Sequence, residues 1–170
     1  VISCVCPHAG WIYSGRVAGT VLSRIEPVST VILIGPNHSG IGAFSAVFKG
    51  NAWIMPLGKV EIDKDLIELI LDNSKILKVD NSAHIKEHSL EVQIPFLQVL
   101  FESIRIVPIC MSDYTLSTCM DIGNAIAEAI KKNKDSVLIL ASSDMSHYLP
   151  AEIAKNNDFM AIEKIKNFDP

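Results

Sequence analysis

No apolar run in the 170 residues reaches the roughly 18–20 that a membrane-spanning helix needs. Lys and Arg form no cluster, and 15 basic against 19 acidic residues leave a formal charge of −4. Neither nucleic acid nor an anionic membrane surface is therefore expected as the main partner. Cysteine is sparse at four residues, too few for a disulfide scaffold in a chain of this length. Cys4 and Cys6 would face the same way on a strand, too far apart for an easy bridge, so reduced, buried thiols in a cytoplasmic protein are expected. Low-complexity runs, internal repeats and a charged leader before an apolar stretch are also missing. What is present is a 49% hydrophobic, 20% charged composition, which can fill the core of one ordinary domain and excludes general disorder. Val1 lies inside an apolar run and Asp169-Pro170 closely follows a helical pattern. Residues 1–170 are thus expected to be a single α/β domain lacking a C-terminal part.

Four short Val/Ile-rich runs predict strands covered on both faces: Val1 to Cys6, Thr30 to Gly35, Ile104 to Cys110 and Ser136 to Ala141. Helical periodicity lies between them. Ser14 is expected to cap a helix with Val17, Ala18, Val21, Leu22 and Ile25 inward, stopped by Pro27. Asp63 is expected to cap Lys64 to Asn73, and Ser117 a helix running to Lys132. Glu87 to Phe101 reads as a helix kinked or begun at Pro95, and Pro150 opens a last helix carrying Ile153, Phe159, Ile162 and Ile165. Phe44 to Phe48 and Trp53 to Val60 read as shorter strands of an antiparallel or irregular insertion. Strands alternating with helices predict right-handed crossovers and a mostly parallel central sheet with helices on both faces, a three-layer sandwich.

Three of the five histidines closely follow a predicted core strand: His8, His38 and His147, the last with Asp144 just before it. In an open α/β sheet ligands bind beyond the carboxyl ends of parallel strands, so these residues are expected to meet along one rim. Neutral imidazole ligates divalent metals and titrates near neutrality, which makes the trio a candidate metal or acid–base site. His84 lies in a polar stretch and is expected in a loop. Gly35-Pro36-Asn37-His38-Ser39-Gly40 lacks the Gly-x-Gly-x-x-Gly spacing, and no Gly-Lys-Ser/Thr follows, which argues against nucleotide binding. No Gly-x-Ser-x-Gly elbow exists, so Ser142-Ser143-Asp144-Met145-Ser146-His147 is not a serine-hydrolase signature. In Glu87-His88-Ser89-Leu90-Glu91, His88 is a candidate ligand or acid–base group, and Glu91 a carboxylate that could orient a ligating histidine.

Pro7-His8-Ala9-Gly10-Trp11-Ile12-Tyr13-Ser14-Gly15, Gly35-Pro36-Asn37-His38, Glu87-His88-Ser89-Leu90-Glu91 and Ser142-Ser143-Asp144-Met145-Ser146-His147-Tyr148 together resemble the Memo family, including AmmeMemoRadiSam system protein B. The four segments occur in the family's order and span nearly the whole chain. The resemblance implies a fold like that of class III extradiol dioxygenases (phosphorylase/hydrolase-like), which use non-haem Fe(II) on catechol rings. It implies metal ligation, by iron or copper, at His8 and His38, with Asp144 and His147 lining the same pocket. The family's ligand cysteine is expected beyond Pro170, and neither Cys110 nor Cys119 sits in its motif, so His147 or Asp144 is expected to serve as third ligand. The resemblance also implies association with a radical-SAM protein. The expected function is a metal-dependent redox enzyme with His8, His38 and His147 as metal ligands and His147, Asp144 and His88 as catalytic groups. Two other readings use the same pocket: a non-catalytic module binding a peptide, small molecule or partner protein, and a zinc-dependent hydrolase.

Overall fold

Thr30–Pro36 forms strand β2 at the centre of the sheet, where Val31, Ile32 and Leu33 are fully buried. Burial of each such side chain contributes about 1.5–3 kcal/mol, which explains why an unbroken aliphatic run, rather than an alternating one, occupies this place. The computed structural model describes residues 2–169. Ser3–Cys6 (β1), Arg105–Met111 (β7) and Val137–Ser142 (β8) run parallel to β2, in the spatial order β1-β8-β2-β7. The predicted start of the first strand, Val1, lies outside the described residues.

Helix α1 (Trp11–Leu22) carries the chain from β1 across to β2, and helix α4 (Leu116–Lys132) carries it from β7 back to β8. These two crossovers travel in opposite directions. If both are right-handed, their helices must cover opposite faces of the sheet. Helix α3 (Ile94–Leu100) packs with α1, and helix α2 (Lys64–Leu71) with α4, giving the layered α/β arrangement expected from the sequence. The middle of the chain departs from the parallel pattern. Ser45–Val47 (β3) pairs antiparallel with β7 and parallel with Lys78–Val79 (β6), while Ala52–Met55 (β4) and Gly58–Ile62 (β5) form a hairpin whose second strand also meets β7.

Local chemistry sets the helix boundaries. Asp63 caps α2 as expected, its carboxylate accepting from the Leu66 amide at 3.0 Å, and it also accepts from Thr30 Oγ1 at 2.6 Å. Helix α1 begins earlier than expected, at Trp11, with Gly10 at its cap. Ser14 is inside the helix, buried, and donates to the Ala9 carbonyl at 2.7 Å, while Trp11 Nε1 donates to the Val92 carbonyl at 3.0 Å. Helix α4 likewise starts before Ser117, with Thr115 as its cap. The segment from Glu87 is not one helix. A short 3-10 turn (Glu91–Gln93) leads into α3, whose first turn holds Pro95 where its missing N–H costs nothing. Helix α5 (Ala151–Asn167) follows Pro150 as expected, yet Ile153, Phe159, Ile162 and Ile165 all remain exposed.

Candidate metal centre

The register of the sheet brings the carboxyl ends of β1, β8 and β2 to one rim: Cys6 stands opposite Ser142, and Ile34 opposite Ala141. The Ser143 amide donates to the Cys6 carbonyl at 2.9 Å, extending the β1–β8 contact past the strands themselves. The chain then delivers His8, His38 and Asp144 two residues beyond β1, β2 and β8. The imidazoles of His8 and His38 lie 5.3 Å apart, centroid to centroid, and those of His8 and His147 6.4 Å apart. His88 joins them, 6.0 Å from His8 and stacked on His38 at 5.0 Å with only 17° between the planes. Residues far apart in the chain therefore share one cleft. His84 is not among them.

Burial separates the roles. His8 is 3% exposed, whereas the side chains of His38, His88 and His147 are 43%, 59% and 47% exposed and form the mouth. Burial lowers the His8 pKa, and the neighbouring His38 and His88 lower it further against the opposing pull of Asp144. His8 is thus held neutral. Its Nδ1 lies 3.2 Å from Ser142 Oγ, and its Nε2 is buried with no hydrogen-bond partner among the described residues. Facing that nitrogen at 3.6 Å is Asp144 Oδ2, which is also 3.6 Å from His147 Nε2. The other Asp144 oxygen is occupied, accepting the His8 and Ala9 amides at 2.6 and 2.9 Å.

His147 and His38 each have one ring nitrogen tied to an acceptor. His147 Nδ1 donates to the Met145 carbonyl at 2.9 Å. The turn that allows this places Met145 and Tyr148 at φ of 62° and 56°, the left-handed region that non-glycine residues enter at a cost. Helix α5 braces the turn, because Asp158 accepts from the Ser146 amide at 3.0 Å. His38 Nδ1 donates to Glu87 Oε1 at 2.9 Å. Each contact fixes the tautomer of the neutral ring, in which Nε2 is the lone-pair nitrogen.

Among the described residues, two sets of three could hold a cation: His8, Asp144 and His147, and separately His38, Glu87 and His88, with donor atoms inside 4.8 Å in each. The second set is less able to do so. Glu87 is buried and already accepts the His38 amide at 2.6 Å, the Ser89 amide at 2.9 Å and His38 Nδ1. Burial by itself would raise the Glu87 acid, but these donors outweigh it and hold it down at about 2. Its carboxylate is spent on orienting His38. The sequence pattern points to Glu91 for that orienting task, but Glu91 is exposed. The signal for Glu87 is weak, because its partner His38 stands 49 residues away in the chain.

His84 corrects a second expectation. It is buried in a 3-10 turn (Asn81–His84), edge-on to Phe48 at 5.7 Å and 3.5 Å from the Cys110 thiol. Burial lowers its pKa to about 4 and raises that of Cys110 to about 12, so this pair is a neutral part of the core. A cavity of about 660 Å³ opens at the other end of the strands, beside Pro27, Phe101, Arg105 and Ser136. Arg105 there is paired with Asp63 and Asp135, leaving no uncompensated charge on that side chain to do chemistry.

Comparison with known sequences identifies the family. The family model described as "Memo-like protein" matches residues 1–170. The chain belongs to the Memo family. A MEMO1 family protein of Pyrobaculum arsenaticum is 49% identical over 168 residues, 97% of this chain and 60% of that protein. MEMO1 family proteins of Archaeoglobus fulgidus and Thermotoga neapolitana are 44% and 38% identical, each across 99% of this chain and 64% and 61% of their own lengths. The chain thus spans about 60% of the curated Memo relatives it matches. No helix among the described residues is long and apolar enough to cross a membrane.

Proposed function

We propose that this Memo-family pocket is the divalent-metal centre of a non-haem redox enzyme acting on a small molecule that bears an ionisable hydroxyl. The observation that carries the reading is His8 Nε2: buried, neutral, without a protein partner, and 3.6 Å from a carboxylate oxygen that is also 3.6 Å from His147 Nε2. A buried nitrogen lone pair beside a carboxylate oxygen that carries no hydrogen bond is costly unless something cationic joins them. Two imidazoles and one carboxylate suit iron(II) or copper, and also zinc, better than magnesium or calcium, which prefer oxygen. His8, Asp144 and His147 would hold the ion, and His38 brings a further imidazole beside His8. Once bound, the ion supplies Lewis acidity and, for iron or copper, a one-electron couple.

The chain's own residues do the remaining work. The wall formed by His8 is dry, while the mouth formed by His38, His88 and His147 is open to a small solute. His88 carries no strong hydrogen bond, its nearest carboxylate oxygen being 3.7 Å away, so its ring is available to take a proton from a hydroxyl at the mouth. Glu87 keeps the His38 ring fixed beside it. Anaerobic iron(II) titration tests the reading: stoichiometric binding is expected, weakened at least tenfold in His8→Ala and Asp144→Asn. Unchanged binding in both variants would overturn it. Binding without dioxygen uptake in the presence of catechols would instead assign the cleft to recognition without turnover, and activity with zinc alone would assign it to hydrolysis.

A further inference from the structure

Two buried polar side chains behind the pocket, Gln93 and Ser142, lie outside the ligand and acid–base set, yet they decide how His8 faces it. Gln93 is fully buried, with Nε2 2.9 Å from the Pro7 carbonyl oxygen and 3.0 Å from Ser142 Oγ. A carbonyl only accepts, so Pro7 dictates which end of the Gln93 amide is nitrogen. Gln93 Oε1 is left buried without a partner, and the amide holds this orientation nonetheless. Ser142 Oγ lies 2.6 Å from the Ser89 carbonyl oxygen. A hydroxyl has one proton, and the Ser89 carbonyl can only accept it. Ser142 therefore donates to Ser89, receives one N–H from Gln93, and keeps one acceptor site. His8 Nδ1 stands at that site, 3.2 Å away. With the hydroxyl proton committed elsewhere, the contact is a hydrogen bond only if Nδ1 carries the proton.

The geometry points to a proton-ordering relay: the Pro7 and Ser89 carbonyls, acting through Gln93 and Ser142, hold His8 as its Nδ1–H tautomer and keep Nε2 unprotonated toward Asp144. Free imidazole side chains in water favour the opposite tautomer, with the proton on Nε2. That form would aim an N–H into the cleft and leave no lone pair for a cation. Ser142 and Gln93 are positioning residues in this arrangement. They reach the pocket only through His8, and their partners lie 49 to 134 residues away in the chain. The tautomer follows from the protein alone, and only its consequence for ion binding rests on the metal reading above.

The test is long-range proton–nitrogen correlation NMR on the ¹⁵N-labelled full chain, in the alkaline range where the imidazoles are neutral. Wild-type His8 is expected to show a protonated Nδ1 and a lone-pair Nε2. Ser142→Ala should move His8 to the Nε2–H form or to a mixture, leave the rings of His38 and His147 unchanged, and weaken zinc(II) binding about tenfold to a hundredfold. Gln93→Leu, which removes one donor to the hydroxyl, should produce a smaller shift in the same direction. A wild-type His8 protonated at Nε2, or a Ser142→Ala spectrum still showing Nδ1–H alone, overturns the relay. If Ser142→Ala fails to fold, the wild-type spectrum decides by itself. A protein with the expected His8 tautomer that takes up no zinc or iron would sink the metal reading and leave the relay standing.

Discussion

Glu87 shows how much one side chain can do. It satisfies two backbone amides and one imidazole from a buried position, so its loss orphans three donors at once. Glu87→Gln keeps the shape but removes the charge and supplies a donor where only acceptors are tolerated. The expected cost is about 1–3 kcal/mol, read from the midpoint of a urea transition, with a mobile His38 ring in the same variant. The candidate ligands at His8, His38 and His147 were legible in the sequence because each falls just past a strand, and strand ends need no long-range knowledge to find. Glu87, Ser142 and Gln93 were not legible. Their roles exist only through contacts between segments that the sheet brings together, and no local pattern marks a glutamine whose amide is oriented by a proline carbonyl 86 residues earlier.

At the scale of elements, the aliphatic strands β2, β7 and β8 read directly, because a strand covered on both faces has little place for polar side chains. The helices read less well at their beginnings. Ser14 has the residue type of a cap but is buried inside α1, where its hydroxyl donates to the Ala9 carbonyl, while Trp11 ties the first turn to the Val92 carbonyl. The segment after Glu87 is helical by its period. Its first residues turn differently because the Glu87 carboxylate captures the Ser89 amide, a local bond that competes with helix formation. Asp63 illustrates a cap with several duties: it binds the Leu66 amide and the Thr30 hydroxyl and lies 3.4 Å from Arg105 Nε. Asp63→Ala should destabilise the fold by about 1–2 kcal/mol, more than Thr115→Ala, whose side chain makes no cap bond to α4. Parallel urea titrations of the two variants check the ranking.

The whole molecule should be sensitive to acid, and the sign can be worked from the buried groups. His84 titrates at about 4 in the native state against an ordinary 6.5. As pH falls through 6.5 the unfolded chain takes the proton first, so stability declines by about 1.4 kcal/mol per pH unit until about 4, where the native protein protonates too. His8, lowered by its own burial, adds to the same limb. Glu87, held at about 2 against an ordinary 4.5, stabilises the fold above 4.5, and that contribution disappears as pH falls through 4.5 toward 2. Thermal melts across this range should show the upper limb shrink in His84→Leu while the lower one persists; an unaltered upper limb would contradict the burial argument.

The four-residue strand β1 borders the sheet and, among the described residues, pairs only with β8, yet it closely precedes the most deeply enclosed imidazole of the cleft. Fraying at a sheet margin and occupancy of the cleft are thereby thermodynamically linked: whatever seats itself against residue 8 also pins the margin in place. Amide hydrogens of Cys4 to Cys6 should exchange with deuterium more slowly once a cation is added, while those of the central strand stay as they were.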